Sequence, residues 1–195
     1  MIKVHDIHLR FKAPVLRGVS LEVPHECIYA LIGPGAAGKS VLFKTIAGLL
    51  TPESGQVWID GEEVTFHDEL KLAQLRRKIG YLFQNYALFD KSVGDNIAFP
   101  LRRLFDNLSE EEIAERVAER LMRMSLPGFE SRNPGSLSGG QKKRIGVARA
   151  TVIRAPYILY DEPTAGLDPV TSPRTCNLIR DEAREQRSTV LIVSS

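Results

Sequence analysis

Long apolar runs are missing from this sequence: no stretch approaches the roughly 18 to 20 apolar residues that a membrane span needs. If the protein works at a membrane, it is expected to dock onto a partner that crosses it. The N-terminus, MIKVHDIHLRF, alternates apolar and polar residues like a strand and lacks the apolar run of a signal peptide. Cysteine is scarce. Cys27 and Cys176 lie far apart and match no metal-ligand spacing, so both read as small core or surface residues in a reducing compartment. An excess of charge is missing too: 26 Lys and Arg stand against 24 Asp and Glu, and a formal charge of +2 is too small to argue for nucleic acid or acidic lipid as a partner. Histidine is confined to His5, His8, His25 and His67, all toward the N-terminal end of the sequence.

What is present is an ordinary globular composition, 43% hydrophobic and 26% charged over 195 residues, enough for one domain with a core. The first third reads as β-rich: IKVHDIHLRF, GVSLEV, CIYALIG and GQVWIDGEEV are strand-like and separated by turn residues. Ile28-Tyr29-Ala30-Leu31-Ile32 is apolar throughout, which predicts a strand buried on both faces. KSVLFKTIAGLL then has helical spacing, with Gly48 and Pro52 as stop signals. From about Glu69 to Pro134 the chain is charge-rich and reads as helical. Ser109 and Glu112 form a capping-box pattern there, and Ile113, Val117, Leu121 and Met124 repeat at helical spacing. The last third alternates: a helix at KKRIGVARA, a strand at Tyr157 to Tyr160, a helix near Leu178 to Arg187 and a strand TVLIV. Parallel strands with crossover helices and a helical insertion are the simplest α/β reading. No repeat, low-complexity tract or linker interrupts it.

Residues 33 to 40, GPGAAGKS, fit G-x-x-x-x-G-K-[ST] directly after the apolar strand and at the opening of a helix. Glycines let a backbone curl so that successive N–H groups point inward at phosphates, and a helix N-terminus adds positive potential. The loop residues Gly33, Pro34, Gly35, Ala36, Ala37 and Gly38, with Lys39, Ser40 and Val41, are therefore expected to hold the phosphates of a nucleotide, and the loop alone says no more than that. Lys39 would reach the β- and γ-phosphates and the Ser40 hydroxyl would hold Mg²⁺.

Further strings narrow the class. Leu137-Ser138-Gly139-Gly140-Gln141 reads LSGGQ and opens a helix. The apolar run Tyr157 to Tyr160 ends in Asp161 and Glu162, Ala165-Gly166-Leu167-Asp168 follows, and Gln84 lies in GYLFQNYALF. In order, spacing and identity these resemble the phosphate loop, Q-loop, signature, Walker B strand and D-loop of ABC-type (ATP-binding cassette) transporter ATPases, and the resemblance covers the whole chain. It implies a P-loop NTPase of ABC type. The RecA-like core would be residues 1–84 and 143–195, carrying an N-terminal antiparallel β-subdomain and a helical subdomain at about 85–142.

The resemblance also implies roles. Asp161 would orient the Mg²⁺ shell with Ser40, Glu162 would polarise the attacking water, and Gln84 would contact Mg²⁺ or that water. Ser138, Gly139, Gly140 and Gln141 would close over ATP held by a second copy, so that two chains pair head to tail in an ATP-dependent homodimer. Phe11 sits where the family places an aromatic on adenine, although an aromatic at the end of a first strand also reads as core. A separate membrane permease is the implied partner, received in part by Tyr86, Ala87, Leu88 and Phe89, and the implied location is cytoplasmic, on the inner face of the cell membrane.

Two departures stand out. Ala36 replaces a usual glycine, and its methyl is expected to be tolerated where the backbone keeps φ negative. Members carry a switch histidine just after the last strand, where this sequence has Ser195 and then stops. The C-terminal elements usual in the family are expected to be missing, and the 195-residue chain alone is expected to hydrolyse ATP weakly. LFQNYALFD, VGDNIAFPL, GKSV and YDEPTAGLDPVTS look most like the ATPases of lipid-trafficking systems of the Mla/MCE type. These imply a phospholipid or other hydrophobic substrate and periplasmic MCE-type lipid-binding partners. Repair-type ABC proteins need a long coiled coil between phosphate loop and signature, and no sustained heptads occur here. Ribosome-type factors usually carry two cassettes in one chain. A nucleotide-binding regulator with little hydrolysis gains weight only from the absent histidine.

Overall fold

The computed structural model describes residues 1–194; Ser195, the position weighed against the switch histidine, lies outside the described residues. The chain runs β1 (Ile2–Arg10), β2 (Pro14–Val23), β3 (Ile28–Ile32), α1 (Lys39–Ile46), β4 (Ser54–Ile59), β5 (Glu62–Glu63), α2 (Glu69–Lys78) and β6 (Ile79–Leu82). It continues through α3 (Val93–Leu104), α4 (Glu110–Arg123), a single 3-10 turn at Pro134–Ser136, α5 (Gly139–Thr151), β7 (Tyr157–Asp161), α6 (Thr171–Gln186) and β8 (Thr189–Ser194).

Two four-stranded sheets result. β2-β1-β4-β5 is antiparallel throughout, and β3-β8-β7-β6 is parallel. β7, YILYD, is the strand that is buried along its whole length. Because successive side chains leave a strand on opposite faces, β7 feeds two cores at once. Ile158 and Tyr160 join the cluster under α3, α4, α5 and α6, while Tyr157 and Leu159 join a second cluster with the antiparallel sheet, α1 and α2. The parallel sheet is thus the middle of three layers, and β7 reads as an unbroken apolar run for that reason.

The α/β reading and the parallel crossover core hold. Ser109 caps α4 with a reciprocal box to Glu112, and Ile113, Val117, Leu121 and Met124 are all buried on its inner face. Two expectations are corrected. The stretch from Glu69 to Pro134 is not helical throughout: Ile79–Leu82 is β6, four residues that pair with β7 between two helices. Four residues are too short a run to register against the helical charge pattern on either side.

The second correction concerns Ile28 to Ile32, which is not buried on both faces. β3 is an edge strand paired only with β8; Tyr29 and Leu31 pack on the core, while Ile28 and Ile32 remain 46% and 74% exposed. Apolar sequence alone cannot tell a central strand from an edge strand with one side open.

Candidate functional site

The C-terminal ends of the parallel strands gather the sequence motifs. β3 and β7 both flank β8, so their ends lie two strand spacings apart, roughly 10 Å. The loop from Gly33 to Gly38 leaves β3 at this edge and turns directly into α1. Crevices at such strand ends are where open α/β sheets take ligands.

The loop needs left-handed backbone at two positions, Ala36 at φ 61° and Gly38 at φ 88°. Gly38 also has β2 pressed beneath it, since a Cβ there would stand 3.0 Å from Val15 Cγ1 and 3.0 Å from Leu16 Cδ2. Ala36 does not keep φ negative, so the condition for its methyl being tolerated fails. The curl that turns N–H groups inward requires a left-handed residue there, and an alanine adopts it at about 1–2 kcal/mol. Helix α1 begins with no side-chain cap and no acid in its first turn. Its first N–H groups and its dipole are therefore available to an anion.

Lys39, mostly buried, lies across this loop: its Nζ donates to the carbonyls of Gly33 at 2.7 Å and Pro34 at 2.8 Å. An ammonium has three donors, so one remains for a phosphate oxygen. The next residue, Ser40, donates its hydroxyl to Asp161 Oδ1 at 2.7 Å, and Tyr81 on β6 donates to Asp161 Oδ2 at 3.4 Å. Burial, and then the Asp161 charge, push the Tyr81 phenol well above the ordinary tyrosine range. A cleft of about 230 Å³ is lined by Gly35, Ala36, Ala37, Gly38, Lys39, Ser40, Val41, Gln84 and Glu162, with Val15 and Val193. Glu162 is buried and left-handed at φ 52°, and its N–H donates to Val193 O at 3.1 Å.

The donor set fits Mg²⁺. A hydroxyl and a carboxylate already within hydrogen-bonding distance supply hard oxygen ligands of the kind that ion takes, alongside phosphate oxygens and water. Among the described residues no group of three or more His, Cys, Asp and Glu is placed to hold a metal ion.

Other sequence-singled residues stand elsewhere. Ser138 caps α5 in a reciprocal box with Gln141: Gln141 N–H donates to Ser138 Oγ at 3.2 Å, and Ser138 N–H donates to Gln141 Oε1 at 2.9 Å. Ser138 and Gly139 are exposed, Gly140 and Gln141 are half-buried, and none of the four lines the phosphate-loop cleft of its own chain. Phe11 is 59% exposed in the turn between β1 and β2, so it is not a core aromatic. Asp168 accepts from the N–H groups of Val170 and Thr171 at 2.9 Å, which fixes the turn ahead of α6.

The segment after Gln84 is clamped to the signature helix, an arrangement that sequence reasoning missed. Arg149, buried near the end of α5, donates to the carbonyls of Tyr86 and Ala87, both left-handed. Lys143, one turn after Gly139, lies over the Tyr86 ring. Of the four residues expected in a partner groove, Ala87 and Phe89 do line a largely apolar cleft of about 600 Å³ with Phe99 and Arg103. Tyr86 instead turns onto α5, and Leu88 packs into the core. No signal in the linear sequence marks Lys143, which stands in the basic run Lys142-Lys143-Arg144.

The ABC transporter family model matches residues 16–165. Among curated proteins, the chain is 38% identical over 200 residues to methionine import ATP-binding protein MetN 1 of Pseudomonas savastanoi, covering 100% of this chain and 59% of that protein. It is 39% identical over 189 residues to energy-coupling factor transporter ATP-binding protein EcfA of Methanothermobacter thermautotrophicus, covering 95% of this chain and 60% of that one. The chain thus spans about three fifths of the length of these relatives. Among solved structures, the dimeric ATP-binding cassette MJ0796 superposes with a TM-score of 0.92 at 32% identity, covering 100% of this chain and 88% of that one. The cbiO1 subunit from Clostridium perfringens, part of the transporter complex cbiONQ, gives 0.86 at 29% identity, covering 99% and 77%. A family model that matches residues 16–165, more than half of the sequence, shows that the chain belongs to the ABC transporter ATP-binding proteins.

Proposed function

We propose that this chain binds Mg-ATP at the 230 Å³ cleft and hydrolyses it, powering transport through a separate membrane permease. The observation that carries the reading is the convergence of Lys39, Ser40, Gln84, Asp161 and Glu162, drawn from three separate strand ends, on one cleft. MJ0796 in a post-hydrolysis dimer with ADP and Pi, at a TM-score of 0.92, supports it. Phosphate oxygens would accept from the open N–H groups of α1 and from Lys39 Nζ. Mg²⁺, when bound, would neutralise charge on the phosphate oxygens, with Ser40, Asp161 and Gln84 holding its shell. Glu162 would polarise the attacking water, a role typically worth about 10² to 10⁴-fold. Phe11, exposed in the turn between β1 and β2, would stack on adenine. Replacing Glu162 by Gln tests this: hydrolysis should stop while ATP binding persists, and continued turnover would overturn the assignment.

The exposed signature supports a head-to-tail dimer of two copies, each Ser138–Gln141 segment closing on the partner's ATP. The apolar cleft with Ala87 and Phe89 would receive the permease, and the chain would sit on the inner face of the cell membrane; no described helix is long and apolar enough to cross it. Residues at about 85–142, which carry helices and no strand among the described residues, would form the helical subdomain on a RecA-like core of 1–84 and 143–195.

For the cargo, the strings LFQNYALFD, VGDNIAFPL and YDEPTAGLDPVTS support a phospholipid or other hydrophobic substrate, with MCE-type periplasmic partners. The relatives carry other names, methionine import and energy-coupling factor. Purifying the full-length protein with its permease and identifying the bound small molecule separates the two. Retained phospholipid supports the hydrophobic cargo; retained methionine overturns it.

A further inference from the structure

The signature helix carries a buried cation that the scheme above does not use. Lys143 is 0% exposed, and a buried ammonium is costly unless it is paired and hydrogen-bonded. Burial pushes its pKa below the ordinary lysine range, while the charges of Glu162 and Asp161 pull it back up. Were volume all that this position required, a methionine would fill it without that cost. Its contacts give another reason. Lys143 Nζ donates to the backbone carbonyl of Glu162 at 2.9 Å and stands 4.6 Å from the centroid of the Tyr86 ring.

The Glu162 peptide is where such a donor matters. Glu162 holds φ 52°, a conformation that a glutamate keeps only when its surroundings over-determine it. Ala165 N–H donates to the same carbonyl at 3.2 Å. Two donors on one carbonyl, one from the turn and one from α5, fix the plane of the peptide. They thereby fix the direction in which the Glu162 side chain leaves the backbone. Tyr86 closes the arrangement, since its ring lies under the ammonium and its carbonyl is held by Arg149 further along the same helix.

We propose that Lys143 is a positioning residue for Glu162, its ammonium tying the left-handed Glu162 peptide to the signature helix so that α5 sets where the carboxylate lies. The inference rests on Glu162 being the water-activating carboxylate. It gives turnover a dependence on α5, whose exposed N-terminus at Ser138 is the part a second copy would meet.

The test uses Lys143→Met and Lys143→Ala in the full-length protein, with Glu162→Gln alongside. Lys143→Met should bind a non-hydrolysable ATP analogue within about twofold of wild type and lose roughly 10- to 100-fold in kcat, the scale of a misplacement near 1 Å. In the nucleotide-free protein, amide exchange at Ala165 should rise about tenfold while that of β7 does not, a readout independent of turnover. Lys143→Ala should regain kcat with propylammonium and not with propanol. This arm also decides, on the fraction that circular dichroism counts as folded, should Lys143→Met not fold. Wild-type kcat in Lys143→Met beside an inactive Glu162→Gln overturns this inference alone, as does equal rescue by propanol or none by either. Turnover persisting in Glu162→Gln overturns the reading beneath it.

Discussion

The Ser40 hydroxyl stands 2.7 Å from the Asp161 carboxylate, although 121 residues of chain separate them. Ser40 is in the first turn of α1 after β3, and Asp161 ends β7; β8 between those strands sets the spacing. The pair is a product of sheet order, and it predicts how metal dependence is distributed. Removing Mg²⁺ with a chelator should weaken ATP binding to the wild type by about tenfold, roughly 1.4 kcal/mol. In Asp161→Asn most of that dependence should vanish, as calorimetric titration with and without chelator would record.

The proposed head-to-tail dimer makes its own prediction at the exposed signature. Glu162→Gln should trap an ATP-bound dimer, visible as a shift in size-exclusion chromatography with ATP. Adding Ser138→Arg should return it to monomer, because a long cation there both breaks the α5 cap and clashes across the interface. A dimer that survives Ser138→Arg would mean that Ser138 does not face the second copy.

The joint between α4 and α6 offers a stability prediction. Arg120 and Glu182 are 3% and 4% exposed in their side chains and pair at 2.5 Å, with Arg123 at 3.1 Å and Gln186 at 2.8 Å on the same carboxylate. Glu182→Ala removes the buried partner of Arg120, which keeps only Glu119 at 2.8 Å, and should cost about 3 kcal/mol. The double change Arg120→Met with Glu182→Leu should recover most of the loss, since a buried pair replaced by apolar groups is often neutral. Urea unfolding curves measure both.

At Gly80 the limit is space. A Cβ there would stand 2.0 Å from the carbonyl oxygen of Ala150 and 2.9 Å from Ile158 Cδ1, so β6 lies against α5 with no room for a methyl group. Gly80→Ala should destabilise by about 1–3 kcal/mol and lower the urea midpoint. Gly61→Ala makes a useful contrast: nothing lies within 4 Å of its Cβ, and its cost should come from its positive φ alone.

The features legible in the sequence were those set locally. The glycine-rich turn from β3 into α1, the capping box at Ser109 and the apolar run of β7 all depend on residues within a turn or two, and each stands as the pattern indicated. Features set by what lies across space were not legible. β3 looked central and is an edge, because only sheet order decides whether Ile28 and Ile32 have neighbours. Ala36 looked compatible with ordinary φ, yet the curl of the loop puts it at 61°. Lys143, Tyr81 and Arg149 gain their roles only where α5, β6 and β7 meet; in the linear chain they are a lysine in a basic run, a strand tyrosine and a helix arginine.

The central claim, that the cleft between β3 and β7 is a nucleotide phosphate site, is tested most directly at Lys39. Its Nζ lies between the carbonyls of Gly33 and Pro34, and Lys39→Ala removes the side-chain cation of that loop. Calorimetric titration of Mg-ATP into the wild type and Lys39→Ala should show affinity falling by about 30-fold or more, roughly 2 kcal/mol, with the fold intact. Equal affinity in the two proteins would contradict the assignment.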